Sequence, residues 1–332
     1  MEFDLQIDQK VLIRADASSK IGIGHVMRML ALGQLLLDDG YKVCFATIPD
    51  HDKILDRLRN EGFTVYCLNQ DDINCASSDL TQLLNLAQKV QPTWIIIDGY
   101  HFDWAYEKRI KDEGYKLLRV DDIPKGHYYA DVVLNQNYGS EDFKYNTEKY
   151  TKVLAGLKYV LLRREFSKSS QQFKMVRKRN SLHVLVSLGG SAKVNSAINN
   201  IISQGLSGLS DLITISILAE ASNRNMAEEM LKADLAIVSV GSTMWELMYM
   251  HVPFLAVSLT PMQDDYLTYI ALEGLCIKLG WHEDLNCKLV QEKTLSFIKD
   301  NDSREKMIEK YEALIGFNNI GEHLLATLRQ MS

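Results

Sequence analysis

Val11-Leu-Ile-Arg-Ala-Asp-Ala-Ser-Ser-Lys-Ile-Gly-Ile-Gly-His-Val-Met-Arg28 is the stretch that decides the fold. An apolar run ends at Arg14, glycines follow at Gly22 and Gly24, and apolar residues then recur at helical spacing from His25 to Leu37. Strand, glycine loop and helix in that order open a βαβ unit. Glycines let the backbone approach a ligand closely, and the free N–H groups of a helix start favour an anion such as a diphosphate. A histidine at that start can meet substrate, and its ordinary pKa suits a general base. A tight turn with His25 capping the helix satisfies the same spacing, and G-x-G alone does not choose between the two. The dinucleotide signature G-x-G-x-x-G is absent, because Met27 stands where its third glycine would be.

Working outward, short apolar runs alternate with helical patterns. Strands are predicted at 42–46, 64–68, 94–98, 116–120 and 131–134. Continuous apolar strands need cover on both faces, so the sheet is expected to be mostly parallel. The polar, basic stretch 167–180 reads as a linker or a solvated face. The alternation then restarts, with strands predicted at 183–187, 212–217, 234–238 and 253–257 and a tail that is helical to its end. The expected architecture is α/β, with two Rossmann-like domains whose parallel sheets face a cleft. They are 1–165 on the water-activating and sugar side and 166–332 on the nucleotide diphosphate side, with the C-terminal helices able to cross back.

Composition narrows the function. The 332 residues are 46% hydrophobic and 24% charged, which excludes disorder and low complexity. No apolar run reaches the roughly 20 residues of a membrane span, and the acidic N-terminus lacks a signal peptide's apolar stretch, so a cytoplasmic protein is expected. A net charge of −6 with scattered lysines and arginines argues against nucleic acid as a partner. Five cysteines, never spaced C-x-x-C, read as reduced thiols, and structural zinc is not expected.

Other strand ends carry candidate residues. Gly189, Gly190 and Ser191 repeat the glycine-turn logic in the second half, as do Gly241, Ser242 and Thr243. Glu246 is placed to accept hydrogen bonds from a ribose diol, although Thr243 and Glu246 also fit a capping box. Asp98 closes an apolar strand and stands alone there, followed by Tyr100, which can bind a substrate hydroxyl or be a half-buried loop aromatic. Asp121 and Asp122 are neighbours on a strand and so point to opposite faces, a poor metal pair.

Taken together these segments resemble a known family. The carriers are Arg14–Arg28, I-I-I-D-G-Y from Ile95, V-D-D at Val120–Asp122, L-N-Q-N at Leu134–Asn137, S-L-G-G-S at Ser187, and A-D-L-A-I-V-S-V-G-S-T-M-W-E at Ala233–Glu246. They look like the UDP-2,4-diacetamido-2,4,6-trideoxy-β-L-altropyranose hydrolases of pseudaminic acid synthesis, a family with the GT-B architecture. The likeness runs from about Val11 to Gln263, and G-x-G-H-x-x-R is its most specific part. It implies hydrolysis of a UDP-sugar at the anomeric carbon without metal or cofactor, by a monomer or weak oligomer. His25 would be the base and Tyr100 would sit beside the sugar. Gly190, Ser191, Ser242 and Thr243 would hold the diphosphate, and Glu246 the ribose. Arg14, Asp16, Gly22, Gly24, Arg28, Asp98, Gly189, Gly241 and Gln263 complete the expected substrate-binding set. Met262-Gln263 stands where the family pattern has Asn-Gln, and the span from Ile217 to Ala233 is too short for a further βα unit.

Overall fold

The computed structural model describes residues 9–18, 22–50, 52–69, 76–169, 181–189, 192–218, 225–315 and 321–331. They divide into two compact units. One takes the described residues of Met1–Ser18, His25–Arg163 and Asn318–Ser332, the other those of Ser19–Gly24 and Arg164–Phe317.

The first unit begins β1 (Lys10–Ala15), α1 (Gly24–Asp38), β2 (Lys42–Thr47), α2 (Asp52–Asn60), β3 (Thr64–Cys67) and α3 (Ala76–Val90). It continues β4 (Trp94–Asp98), α4 (Trp104–Asp112), β5 (Lys116–Val120), β6 (His127–Tyr128), β7 (Val132–Asn135), β8 (Asn146–Thr147) and β9 (Lys152–Ala155). Seven strands form a parallel sheet in the order β3-β2-β1-β4-β5-β7-β9, while β6 and β8 pair separately. Every residue of β4 is buried, as a strand covered on both faces requires. Ile13 lies beside Ile96 and Arg14 beside Ile97, so odd-numbered β1 side chains face α1 and even-numbered ones face α3 and α4.

The second unit contains α5 (Arg164–Ser169), β10 (Leu182–Ser187), α6 (Ala192–Ser207), β11 (Ile213–Ile217), α7 (Met226–Lys232) and β12 (Leu235–Ser239). There follow α8 (Thr243–Tyr249), β13 (Phe254–Ser258), α9 (Pro261–Leu272), β14 (Ile277–Trp281), α10 (Cys287–Lys299) and α11 (Asn301–Leu314). Its sheet is also parallel, ordered β11-β10-β12-β13-β14, with β11 at the edge among the described residues. The tail is therefore not helical throughout: β14 interrupts it. Lys278 and Gly280 break its apolar pattern, and Gly280 takes φ +126 where the β13–β14 register shifts.

The last helix, α12 (Glu322–Met331), belongs to the first unit, where Arg329 pairs with Asp39 just beyond α1 and Leu324, Leu325 and Leu328 are buried. In each sheet the strand order reverses once, between β1 and β4 and between β10 and β12. Ligands of open α/β sheets bind at such points, beyond the strands' C-terminal ends.

Candidate active site

The loops leaving β1 and β4 flank the reversal in the first sheet, and they bring His25 and Asp98 together. His25 Nδ1 lies 2.8 Å from Asp98 Oδ1. A carboxylate there fixes the proton on Nδ1 and leaves the Nε2 lone pair free to accept one. Among the described residues no other group pairs with Nε2. Gly22 takes φ +77, a left-handed turn that suits glycine, and Gly24 is the first residue of α1, with nothing within 4 Å of where a Cβ would sit.

One turn further along α1, Arg28 bridges two strand ends. Its Nε and Nη2 donate to Asp98 at 2.9 and 2.7 Å, and its Nη1 donates to Asp122 at 2.5 Å. Asp122 also accepts from Asn137 Nδ2 at 3.0 Å and from the Tyr100 hydroxyl at 3.1 Å. Tyr100 meets the His25 ring edge-on at 4.8 Å between centroids. His25, Asp98, Arg28, Asp122 and Tyr100 thus form one connected network.

Burial alone would raise the pKa of Asp98, but Arg28, and after it His25, hold it far below the usual carboxylate range. Asp122 is lowered in the same way, chiefly by Arg28. Burial likewise opposes the charge on Arg28, yet Asp122 and Asp98 push its pKa well above the ordinary value. Tyr100 is 63% exposed, while its hydroxyl donates to Asp122. Desolvation of that hydroxyl, with the charge on Asp122, raises its pKa, so it remains a neutral donor.

Asp98 is therefore not alone at its strand end, as the sequence suggested; it converges with Asp122 on one guanidinium. Asp121, just past the end of β5, points the other way and accepts from Tyr128 at 2.8 Å. Substrate contact was expected of Arg14, Asp16 and Asp98, and the structure gives each of them protein partners. Asp98 is 1% exposed and both its oxygens are engaged. Arg14 is fully buried between Asp16 and Asp79, and Tyr106 closes on Asp79 at 2.6 Å. Position 14 faces α3 and α4, away from α1, so nearness in sequence to the glycine loop does not put Arg14 at the site. Asp79 and Tyr106 gave no sequence signal, lying 65 and 92 residues from Arg14 by number. The position of Asp122 could have been found from strand alternation.

In the second unit Gly189 takes φ +68 after β10, and Ser239 Oγ, ending β12, donates to Leu188 O at 2.7 Å. Gly190 and Ser191 lie outside the described residues. Gly241 has open space where a Cβ would be. The residue preceding α8 is Ser242, in helical conformation and without a side-chain cap, so Thr243 and Glu246 do not form the capping box. Glu246 is 6% exposed. Gln263 ties two turns together: its Oε1 accepts from Leu259 N at 2.8 Å and its Nε2 donates to Val240 O at 3.0 Å. Met262 beside it is 41% exposed. Among the described residues, no three His, Cys, Asp or Glu side chains gather to hold a metal, and no helix is long and apolar enough to cross a membrane.

No family model matches the chain. It is 28% identical, over 290 residues, to the UDP-2,4-diacetamido-2,4,6-trideoxy-beta-L-altropyranose hydrolase of Campylobacter jejuni, covering 80% of this chain and 97% of that protein. It is also 28% identical over 295 residues to an uncharacterized protein of Methanocaldococcus jannaschii, covering 79% of this chain and 59% of that longer protein. Among solved structures it superposes on MurG of Acinetobacter baumannii with a TM-score of 0.65 at 13% identity, covering 97% of this chain and 99% of that one. The spinosyn rhamnosyltransferase SpnG gives a TM-score of 0.69 at 14% identity, covering 97% and 100%. At such identities these two likenesses speak to fold. The chain has the GT-B fold and is similar, over four-fifths of its length, to the UDP-2,4-diacetamido-2,4,6-trideoxy-beta-L-altropyranose hydrolase.

Proposed function

We propose that the chain hydrolyses a UDP-linked 2,4-diacetamido-2,4,6-trideoxy sugar at the anomeric carbon, releasing UDP and the free sugar for nonulosonic acid synthesis. The observation that carries the reading is the His25–Asp98 pair at 2.8 Å, set beside an open glycine turn. Water attacks the anomeric carbon while His25 Nε2 takes its proton, and the bond to UDP breaks with its electron pair leaving on the diphosphate. Asp98 keeps the ring in the productive tautomer and offsets the positive charge that develops on it. Tyr100 is the side chain beside the sugar. Gly189, Gly190, Ser191, Gly241, Ser242 and Thr243 supply diphosphate contacts, and Glu246 the ribose contact.

Arg28 already neutralises the two carboxylates at these strand ends, so they are not offered to a divalent cation. Charge on the departing diphosphate is then met by backbone N–H groups and hydroxyls. The test is UDP release by the purified protein across a panel of UDP-sugars with no acceptor present. Free sugar and UDP in equal amounts support hydrolysis. UDP release that waits for an added acceptor makes the chain a glycosyltransferase, the activity named for its solved fold relatives.

A further inference from the structure

His101 follows Tyr100 in the loop leaving β4, and the two neighbours turn to different partners. Tyr100 meets His25 at the start of α1, whereas His101 Nε2 lies 3.8 Å from Asp16 Oδ2 in the loop leaving β1. That distance is too long for a hydrogen bond, and among the described residues neither ring nitrogen of His101 has a hydrogen-bond partner. The side chain is 46% exposed. Its ring is nevertheless closely placed. It packs on Phe102 with the ring centroids 3.9 Å apart, and Phe102 is itself buried near the guanidinium groups of Arg14 and Arg119. A Cβ at Gly99 would come within 2.9 Å of His101 Cε1, so the ring occupies room that glycine leaves.

Asp16 is fixed as firmly. Arg14 donates to both its oxygens, at 2.5 and 2.7 Å, and Ile48 N donates to one of them at 2.9 Å. Arg14 is held in turn by Asp79, which accepts from Tyr106. Ion pairs buried this deeply add little net stability. What this one secures is a carboxylate, and beside it an imidazole, at the strand reversal where open α/β sheets take their ligands. Burial, and after it the charge on Arg14, lower the His101 pKa against the pull of Asp16 and Asp79. At neutral pH the ring is uncharged and offers one donor and one acceptor.

We propose that His101 is a second sugar contact, hydrogen-bonded to an acetamido group of the substrate, with Asp16 and Phe102 as its positioning residues. An acetamido group carries both a donor and an acceptor, so it answers a neutral imidazole in either tautomer. The assignment rests on the sugar-nucleotide reading above and names the residue that recognises the sugar's amide.

Isothermal titration of the full chain carrying His25→Ala, with UDP and with a UDP-linked 2,4-diacetamido-2,4,6-trideoxy sugar, tests it. The sugar nucleotide should bind more tightly than UDP. Adding His101→Ala should weaken the sugar nucleotide about threefold to tenfold, the worth of one hydrogen bond, and leave UDP within about twofold. His101→Gln keeps a donor and an acceptor and should recover most of the loss. By NMR, the ring nitrogen shifts of His101 should move on adding the sugar nucleotide and not on adding UDP, a response that a purely structural imidazole would lack. The proposal falls if His101→Ala weakens both ligands alike or neither, or if the ring shifts respond equally to both. A parental chain that releases no UDP, while His101→Ala still loses sugar affinity, ends the hydrolytic reading and keeps this contact. Should His101→Ala not fold, the ring shifts decide alone.

Discussion

Both sheets are parallel and reverse strand order once, but they end their strands in different chemical styles. In the first unit the ends of β4 and β5 carry carboxylates, locked by one guanidinium and one imidazole into a buried, connected network. In the second the ends of β10, β12 and β13 carry serines and glycines, and their turns are laced by hydroxyl and amide bonds such as Ser239 to Leu188 and Gln263 to Val240. One edge concentrates buried charge and a proton acceptor. The other presents backbone and hydroxyl donors, with one part-buried ion pair, Asp264 with Lys278, beside Ser258. Strand order fixes where a ligand can sit, and the residues just beyond the strands set the chemistry available there.

The most direct way to break this contrast is to disarm the charged edge. His25→Ala should lower turnover by about 10²–10⁴ while UDP affinity stays within a few-fold, because general-base removal does not touch nucleotide contacts. Asp98→Asn should follow in the same direction and also cost up to about 3 kcal/mol of stability, since Arg28 keeps only Asp122 as its full charge partner. Steady-state kinetics alongside UDP titration checks both. A His25→Ala protein with parental turnover would end the assignment.

Charge is also buried on the other face of the same sheet. Glu107 is 2% exposed, and burial lifts its pKa to about 7 against the opposing pull of Arg119. The folded chain therefore keeps a proton that the unfolded chain, with an ordinary value of 4.5, gives up. This contribution is complete below pH 4.5 and is lost as the pH rises through 7, for a total of up to about 3 kcal/mol. Denaturant titrations at pH 5 and pH 8 should show the parent gaining on Glu107→Gln at the lower pH. An unchanged difference between the two proteins would show that Glu107 titrates normally.

On the other edge the expected effect is smaller. Glu246→Ala should raise KM several-fold at constant kcat, because a ribose contact is equal in ground and transition states. Normal kinetics with about 1 kcal/mol less stability would return Glu246 to a purely structural part. Smallest of all is the effect of chelation: activity in excess EDTA should equal that in Mg²⁺. Loss on chelation, restored by metal, would mean that Asp98 and Asp122 release Arg28 to bind a cation.

The alternation of apolar runs with helices was legible because parallel strands covered on both faces leave unbroken apolar stretches such as Trp94–Asp98. β14 escaped because Lys278 and Gly280 interrupt its pattern, and β9 because Val153 is partly exposed and Lys152 opens it. His25 stood out by its place at a helix start and Tyr100 by its place just beyond a strand end. The partners of Arg28 were not legible, because a sequence does not show which distant carboxylates will meet it. The depth of Arg14 was hidden for a related reason. A residue's sheet face can be counted by parity, but Asp79 and Tyr106, which make that face polar, come from helices whose rotation the pattern does not fix.

The return of α12 to the first unit bears on how the molecule is made. α1, which carries His25 and Arg28, has Arg329 of α12 paired with Asp39 at its end, and a Cβ at Gly321 would collide with Leu35 on its flank. On a ribosome adding about 5–20 residues per second, the whole Arg164–Phe317 part of the second unit emerges before α12 does. For on the order of ten seconds the helix bearing His25 waits without the segment that packs against it. Domain-by-domain folding in order of synthesis is thereby closed to the first unit, which is completed last although it is begun first.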